Sequence, residues 1–285
     1  KLMRELRHPF LLNVERIEVV GSKLVIVTEL AEGSLEDRFE QCKEQKFKGI
    51  PRDELLKYMH DAADALDYMY DHHGLQHLDI KPGNLLIQGA HLKVADFGLI
   101  KNLNKVDVSV ISGFTPLYAA PELFDGHPSR SSDQYSLAIV YQTMLTGIPP
   151  FSGRTTAQLT AQQITSKPDL SPLSASDQST VARALSKNSK ARFSSCTEFI
   201  DRITKQRTVK SRSAVSQPEL ESPASSTPRN EFVRSPPTIV VSKPKATALA
   251  PVKVGDSVSF RPTLFVGIGG LGGEVLRRLS RRFSS

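Results

Sequence analysis

The pattern of apolar and polar positions divides the chain into a periodic part that ends near residue 203 and a tail without a lasting period. Apolar residues at helical spacing predict helices over residues 35–46, 53–72, 157–164, 176–185 and 196–203. Apolar runs separated by turn residues predict two β-hairpins, formed by residues 10–20 with 24–30 and by residues 85–87 with 92–94. The pattern therefore predicts an α+β fold whose later part is mainly helical.

The first seven residues place Leu2, Met3 and Leu6 on one side of a helix, which His8-Pro9 would end. No helix start precedes this pattern, and no initiator Met opens the sequence. We therefore expect the chain to begin within a structural element of a longer protein.

The tail changes composition twice. Residues 204–260 are rich in Ser, Pro, Thr, Lys and Arg, a composition that buries too little apolar surface to fold and predicts a disordered linker. Residues 261–285 combine a predicted strand over 263–266, a Gly-rich turn over 267–273 and a helix over 274–283. Because the N-terminus of a helix after glycines can bind phosphate, this order predicts the start of an α/β nucleotide-binding domain.

The overall composition, with 39% apolar and 24% charged residues, is typical of a soluble globular protein. No apolar run approaches the roughly 18 residues of a membrane span, so we expect no membrane-spanning segment. The two cysteines, Cys42 and Cys196, lack the spacing of metal ligands. These features favour a reducing environment, and we expect a cytoplasmic location.

The net charge of +7 belongs to the tail. Residues 202–285 carry 15 Lys and Arg against 5 Asp and Glu, whereas residues 1–201 carry 22 against 25. A solvated linker explains this distribution, and a partner rich in phosphate or with an acidic surface is the alternative. We expect no DNA partner.

Candidate chemistry is concentrated in residues 74–98, where Asp79, Lys81, Asn84 and Asp96 surround the second predicted hairpin. Because the hairpin brings its two ends together, Asn84 and Asp96 are expected to be neighbours. Carboxylate and amide oxygens, together with substrate phosphates, are the ligands of Mg²⁺ in proteins. The spacing therefore predicts a magnesium site at the open end of the hairpin.

Three motifs carry a resemblance to a known family. The run His77-Leu78-Asp79-Ile80-Lys81-Pro82-Gly83-Asn84 resembles the catalytic loop of protein kinases, and Asp96-Phe97-Gly98 resembles their metal-binding turn. The run Thr115-Pro116-Leu117-Tyr118-Ala119-Ala120-Pro121-Glu122 resembles the end of their activation segment. The order and spacing of these motifs are similar to those of bacterial-type Ser/Thr protein kinases, and Lys81 before Pro82 is typical of Ser/Thr specificity.

The resemblance implies ATP and Mg²⁺ as cofactors, a protein substrate, and a role for each motif residue. Asp79 would accept or orient the proton of the substrate hydroxyl, and Thr115 would hydrogen-bond around it. Lys81 would neutralise charge on the transferred phosphoryl group. Asn84 and Asp96 would hold Mg²⁺ against the nucleotide phosphates, which Lys81 would also contact.

Other roles are implied in the same way. The backbone of Glu29 and Ala31 would bind the adenine edge, Leu86 would contact the nucleotide, and Thr28 would guard the pocket behind the adenine. Glu122 would form an ion pair with Arg192. Asp133 would hold the backbone of the catalytic loop.

The implied organisation is a protein-kinase-like fold over residues 1–203. It has an incomplete small lobe over residues 1–31 and a mainly helical large lobe over residues 34–203. The family's Gly-rich loop and strand Lys are not found in residues 1–31, so we expect the chain as given to have little kinase activity. A catalytically inactive scaffold that regulates the C-terminal domain is the alternative function.

Two further features qualify the resemblance. Leu78 replaces the Arg that usually pairs with a phosphate on the activation segment, so phosphorylation of Ser109 or Ser112 is not expected to be the switch.

At the C-terminus, Pro262 to Leu279 resembles the opening of a tubulin-like or FtsZ-like GTPase domain, which would bind GTP. The spacing Gly267, Gly269 and Gly272 also fits a Rossmann-type dinucleotide site, and a structural turn without a ligand is the third possibility.

Overall fold

The structure is a computed structural model that describes residues 6–20, 23–96, 101–102, 114–213 and 264–266. Several predicted features lie outside the described residues. They are the helix before residue 6, the turn Gly21-Ser22, the pair Phe97-Gly98, most of the predicted linker, and residues 267–285 with their glycines.

The first sheet is built on the first predicted hairpin. Strand β1 (Val14–Val20) pairs antiparallel with β2 (Lys23–Thr28), and the ladder has an irregularity near its start. The other edge of β2 pairs antiparallel with residues Leu264–Val266, within the region where a strand was predicted. A segment remote in sequence thus adds a third strand to this sheet.

The second sheet contains the hairpin of the candidate site. Its strands are β3 (Gly33–Ser34), β5 (Leu85–Gln88) and β6 (His91–Val94), in the order β3-β5-β6. Two further short strands, β4 (Leu75–Gln76) and β7 (Lys101–Asn102), pair with each other. The hairpin of β5 and β6 is confirmed and extends one residue further at its turn than the sequence predicts, because Gly89 adopts the left-handed conformation of a tight turn.

The apolar run over residues 10–20 was predicted as one strand, but its residues bond to both sheets. Strand β1 begins only at Val14, since the residues before it bond to the second sheet: the N–H of Leu12 donates to the carbonyl of Val94 at 2.9 Å, and the N–H of Val94 donates to that of Phe10 at 2.8 Å. This pairing fixes the first hairpin against the strand that leads to Asp96.

The described residues form seven α-helices, which are α1 Leu35–Glu44, α2 Arg52–His73, α3 Pro121–Phe124, α4 Ser132–Thr146, α5 Thr156–Thr165, α6 Ala175–Ala184 and α7 Cys196–Ser213. Ser34 and Asp37 form a capping box that begins α1. Helix α2 ends at Gly74, whose left-handed conformation turns the chain directly into β4. No described helix is long and apolar enough to cross a membrane.

Helix α4 is buried over most of its length. Twelve of its 15 residues are buried, and it packs against α2, α6 and α7. A helix buried on all sides shows no amphipathic period, which explains why the hydrophobic pattern alone does not predict it. The motifs on either side of α4 are therefore held by a helix that has little freedom to move.

The final helix departs from the prediction. Helix α7 continues to Ser213, ten residues beyond the predicted end at Ile203. The additional residues are mostly polar and basic, so they resemble a linker in composition. They include Lys, Gln and Arg, which are good helix formers, and a helix that has begun extends at little cost.

The ion pair predicted between Glu122 and Arg192 is present. The Arg192 side chain has no exposed surface, and its two terminal nitrogens donate to the Glu122 carboxylate at 2.7 and 2.8 Å. The same guanidinium donates to the carbonyls of Ser131 and Ser186. Burial opposes ionisation of Glu122, but the hydrogen bonds and charge of Arg192 outweigh it and leave the pKa of Glu122 below its usual value.

We expect Arg192→Met to lower the free energy of unfolding by about 3–5 kcal/mol, because it leaves the Glu122 carboxylate buried without its partner. The matched control is Arg130→Met, which removes an ion pair with Asp71 whose side chains are 45% and 48% exposed. That control should cost no more than about 1 kcal/mol. Urea denaturation of the three proteins measures both differences, and equal losses would contradict a structural role for the buried pair.

Candidate active site

Hydrogen bonds to Asp133 attach the segment that carries Asp79 to helix α4. One oxygen of the Asp133 carboxylate accepts the N–H of His77 and the other accepts the N–H of Leu78, both at 2.8 Å. Leu78 has a φ of +66°, which is rare for a bulky residue and marks a backbone held by its surroundings. This contact is the one that the sequence predicted for Asp133, and it fixes the approach to Asp79.

Asp79 lies at the centre of a cluster of side chains and is 8% exposed. Its Oδ2 accepts from the ammonium of Lys81 at 2.6 Å, and its Oδ1 accepts from both the N–H and the hydroxyl of Thr115, at 3.1 and 2.9 Å. The Lys81 ammonium also lies 3.2 Å from the Thr115 hydroxyl. Residues 36 positions apart are thus joined around one carboxylate.

Asn84 completes this cluster from a short 3₁₀ turn before β5. Its amide nitrogen donates to the backbone carbonyl of Asp79 at 2.8 Å and lies 3.2 Å from the Asp79 carboxylate. Its own backbone carbonyl accepts the N–H of Ala95 at 2.9 Å. Asp96 is the next residue, so the structure places Asn84 beside Asp96 at the open end of the hairpin.

His77 links the two halves of the site. Its side chain is fully buried, and the ring Nε2 lies 2.9 Å from the carbonyl of Ala95. Asp96 itself is exposed and has a φ of +62°. Backbone strain of this kind is concentrated at functional sites, and here it lies at an exposed Asp that directly follows Ala95, whose N–H bonds to the Asn84 carbonyl.

The segment predicted to bind adenine joins β2 to β3. The N–H of Glu29 donates to the carbonyl of Asn13, and the Glu29 carbonyl accepts from the Thr28 hydroxyl at 3.1 Å, which occupies one of its two lone pairs. Its carboxylate accepts from Lys93 and from the N–H of Asn13, both at 2.7 Å. Burial opposes ionisation of Glu29, yet these bonds hold the pKa of its carboxyl below the usual value.

The remaining predicted residues lie close to this segment. Thr28 is buried, and its hydroxyl donates to the carbonyl of Glu29. Ala31 lies one residue before Glu32, whose N–H donates to the carbonyl of Ile87 on β5. Leu86, the neighbour of Ile87, pairs with Ser34 of β3 and is half-buried. These residues lie where the segment after β2 meets the second sheet, and their contact with a nucleotide stays a prediction.

Two contacts that hold the segment after Thr115 were missed by the sequence analysis. Gln163 donates to the carbonyl of Leu117, and Ser136 donates to that of Tyr118, so both hold the segment after Thr115. A buried polar side chain that bonds a distant backbone group leaves no periodic signal in the sequence. The motif search found Thr115 but could not find the side chains that support the residues after it.

Comparisons with known proteins agree with this geometry. Residues 1–217 match the family model described as protein kinase domain. The chain is 32% identical over 163 residues to serine/threonine-protein kinase 36 of Pongo abelii, covering 56% of this chain and 12% of the relative. It is 32% identical over 159 residues to CBL-interacting serine/threonine-protein kinase 21 of Arabidopsis thaliana, covering 54% and 36%.

A third relative, serine/threonine-protein kinase 17A of Oryctolagus cuniculus, is 29% identical over 152 residues, which cover 51% of this chain and 37% of the relative. The chain thus spans well under half the length of each of these relatives. The family match covers most of the chain and includes every described residue of the candidate site. The chain belongs to the protein kinase domain family.

Proposed function

We propose that this chain is the catalytic part of a Ser/Thr protein kinase, which transfers the γ-phosphoryl group of ATP to a Ser or Thr hydroxyl of a protein. The observation that carries the proposal is the cluster around Asp79, where a carboxylate, an ammonium, an amide and a threonine hydroxyl meet. Phosphoryl transfer requires positioning and counter-charge more than covalent chemistry, and this set of groups supplies both.

In the proposed reaction, the substrate hydroxyl oxygen forms a bond to the γ-phosphorus while the bond from that phosphorus to the bridging oxygen of ADP breaks. Asp79 receives the hydroxyl proton. Lys81, 2.6 Å from Asp79, carries the positive charge that the transferred group requires. Thr115 holds the Asp79 oxygen at 2.9 Å and so fixes the direction in which the carboxylate faces the hydroxyl.

The donors present fit a magnesium ion. Asn84 and Asp96 offer an amide oxygen and a carboxylate, which are hard ligands suited to Mg²⁺. Among the described residues there is no group of three or more His, Cys, Asp or Glu side chains that could hold a metal. Phosphate oxygens would therefore supply other ligands, and the ion would neutralise nucleotide charge when bound.

Specificity for Ser and Thr is proposed from two facts. Lys81 and Pro82 follow the catalytic Asp in the pattern of Ser/Thr kinases, and the relatives named above are themselves named serine/threonine-protein kinases. An assay with matched Ser, Thr and Tyr peptides tests this choice. Transfer to Tyr alone would refute it.

We expect Asp79→Asn in the full-length protein to lower turnover by at least ~10², the usual contribution of one proton-transfer group. ATP affinity should stay within a few-fold, because Asp79 contacts the hydroxyl and not the nucleotide. The control is Asp64→Asn, the same substitution at a residue that is 60% exposed on α2. Steady-state assays on a Ser peptide measure the effect, and near wild-type turnover would remove Asp79 from the mechanism.

We expect Asp96→Ala to weaken binding of Mg·ATP, with most of the loss in the part of the affinity that depends on Mg²⁺. Because Asp96 has a φ of +62°, Ala also adds backbone strain there. Asp96→Asn separates the two causes, since Asn tolerates this conformation but lacks the charge.

Nucleotide titrations with Mg²⁺ and with EDTA measure both variants, and Asp125→Ala, at an exposed Asp after α3, is the control. If both Asp96 variants kept the Mg²⁺-dependent affinity, the metal assignment would be wrong.

We expect the double variant Ser109→Ala with Ser112→Ala to keep basal activity within a few-fold. Leu78 is 2% exposed and stands where a phosphate-binding Arg would be needed. Radiolabelled ATP assays of the full-length protein measure the activity. A collapse that Glu at either position reverses would show that phosphorylation of this segment is the switch.

A further inference from the structure

Helix α5 buries a single side chain, and that side chain is polar. Gln163 has no exposed surface, whereas the helix is otherwise half-buried or exposed. A buried amide destabilises a protein unless its donors and acceptors are satisfied. Gln163 satisfies this condition through the activation segment: its Nε2 donates to the carbonyl of Leu117 at 2.6 Å and lies 3.4 Å from that of Pro116.

The amide belongs to a chain of hydrogen bonds with one consistent direction. The Lys187 ammonium donates to the hydroxyl of Tyr135 at 3.0 Å, and that hydroxyl donates to Oε1 of Gln163 at 2.6 Å. Lys187 also lies 4.3 Å from the centre of the Phe151 ring, and its burial lowers the pKa of its ammonium to about 8. The amide oxygen of Gln163 accepts from Tyr135 and its nitrogen donates to Leu117, so these hydrogen bonds fix the orientation of the amide.

The neighbouring carbonyl is held in the same way. The hydroxyl of Ser136, buried on α4, donates to the carbonyl of Tyr118 at 2.7 Å. At the other end of the segment, Thr115 is bonded to Asp79. The backbone from Thr115 to Tyr118 is therefore fixed at both ends by buried or catalytic side chains.

We infer that Gln163 is a positioning residue, which fixes the surface that contacts the substrate residue next to the phosphorylated Ser or Thr. The inference rests on the proposed phosphoryl transfer. A hydroxyl that reaches Asp79 must lie against Thr115, so the adjoining part of the peptide passes over the residues that follow. The partner is an extended polypeptide, and the amide acts through the carbonyl of Leu117 without touching the peptide.

The decisive variant is Gln163→Met, which keeps the volume but removes the donor to Leu117 and the acceptor for Tyr135. Only the bond to Leu117 acts on the segment directly, and loss of one well-made hydrogen bond corresponds to about a tenfold change. We expect the KM for a Ser peptide to rise about tenfold and the KM for ATP to stay within twofold. The control is Gln158→Met, the same substitution at an exposed position of α5.

A positional-scanning peptide library gives a readout that stability alone would not move. Gln163→Met should alter the residue preference at one position beside the phosphoacceptor and leave the other positions unchanged. Tyr135→Phe should cause a smaller change of the same kind, and the two substitutions together should be less than additive because they interrupt one chain.

The outcomes separate this inference from the proposed function. If the full-length wild-type protein transferred no phosphoryl group to any peptide, the proposed function would fail, and hydrogen exchange of residues 114–120 would still decide whether Gln163 holds the segment. Faster exchange in Gln163→Met is expected. Unchanged exchange, equal increases in both KM values, or an unchanged library preference in an active enzyme would each overturn the inference.

Discussion

The candidate site depends on one buried carboxylate. Asp133 is 3% exposed and accepts the N–H groups of His77 and Leu78. A carboxylate left in such a place without its donors would be costly, and the two amides would also lose their partners. These hydrogen bonds satisfy the buried Asp133 carboxylate and hold the backbone turn at Leu78, after which Asp79 joins the cluster with Lys81 and Thr115.

Helix α4 also holds the segment that follows Thr115. Asp133 and Ser136 are three residues apart on α4 and so lie on neighbouring turns of one face. The first holds the loop that carries Asp79, and the second holds the carbonyl of Tyr118. Because both anchors belong to one helix, helix geometry sets how the loop that carries Asp79 and the segment after Thr115 lie relative to each other.

What the sequence could predict followed from local spacing. Asp79, Lys81 and Asn84 lie within six residues, and a hairpin brings Asp96 back to them, so their proximity is a property of the local chain. Gln163 and Lys187 could not be found this way, because they act on residues far away in sequence and their types are common on solvated helices. Helix α7 was predicted too short, since polar helix formers and linker residues have the same composition. The roles of the site residues stay predictions until the variants are measured.

The attachment of Glu29 has a mechanical consequence. Its carboxylate is bonded to Lys93 on β6 and to the N–H of Asn13, and the carbonyl of Leu30 accepts from Gln88 of β5. The connecting segment is thus bonded to both strands of the second hairpin and to the residue before β1. In the proposed kinase, a rotation that opened the nucleotide cleft would have to occur within β1 and β2, ahead of Glu29, so the Glu29 carbonyl would keep its place relative to the second sheet.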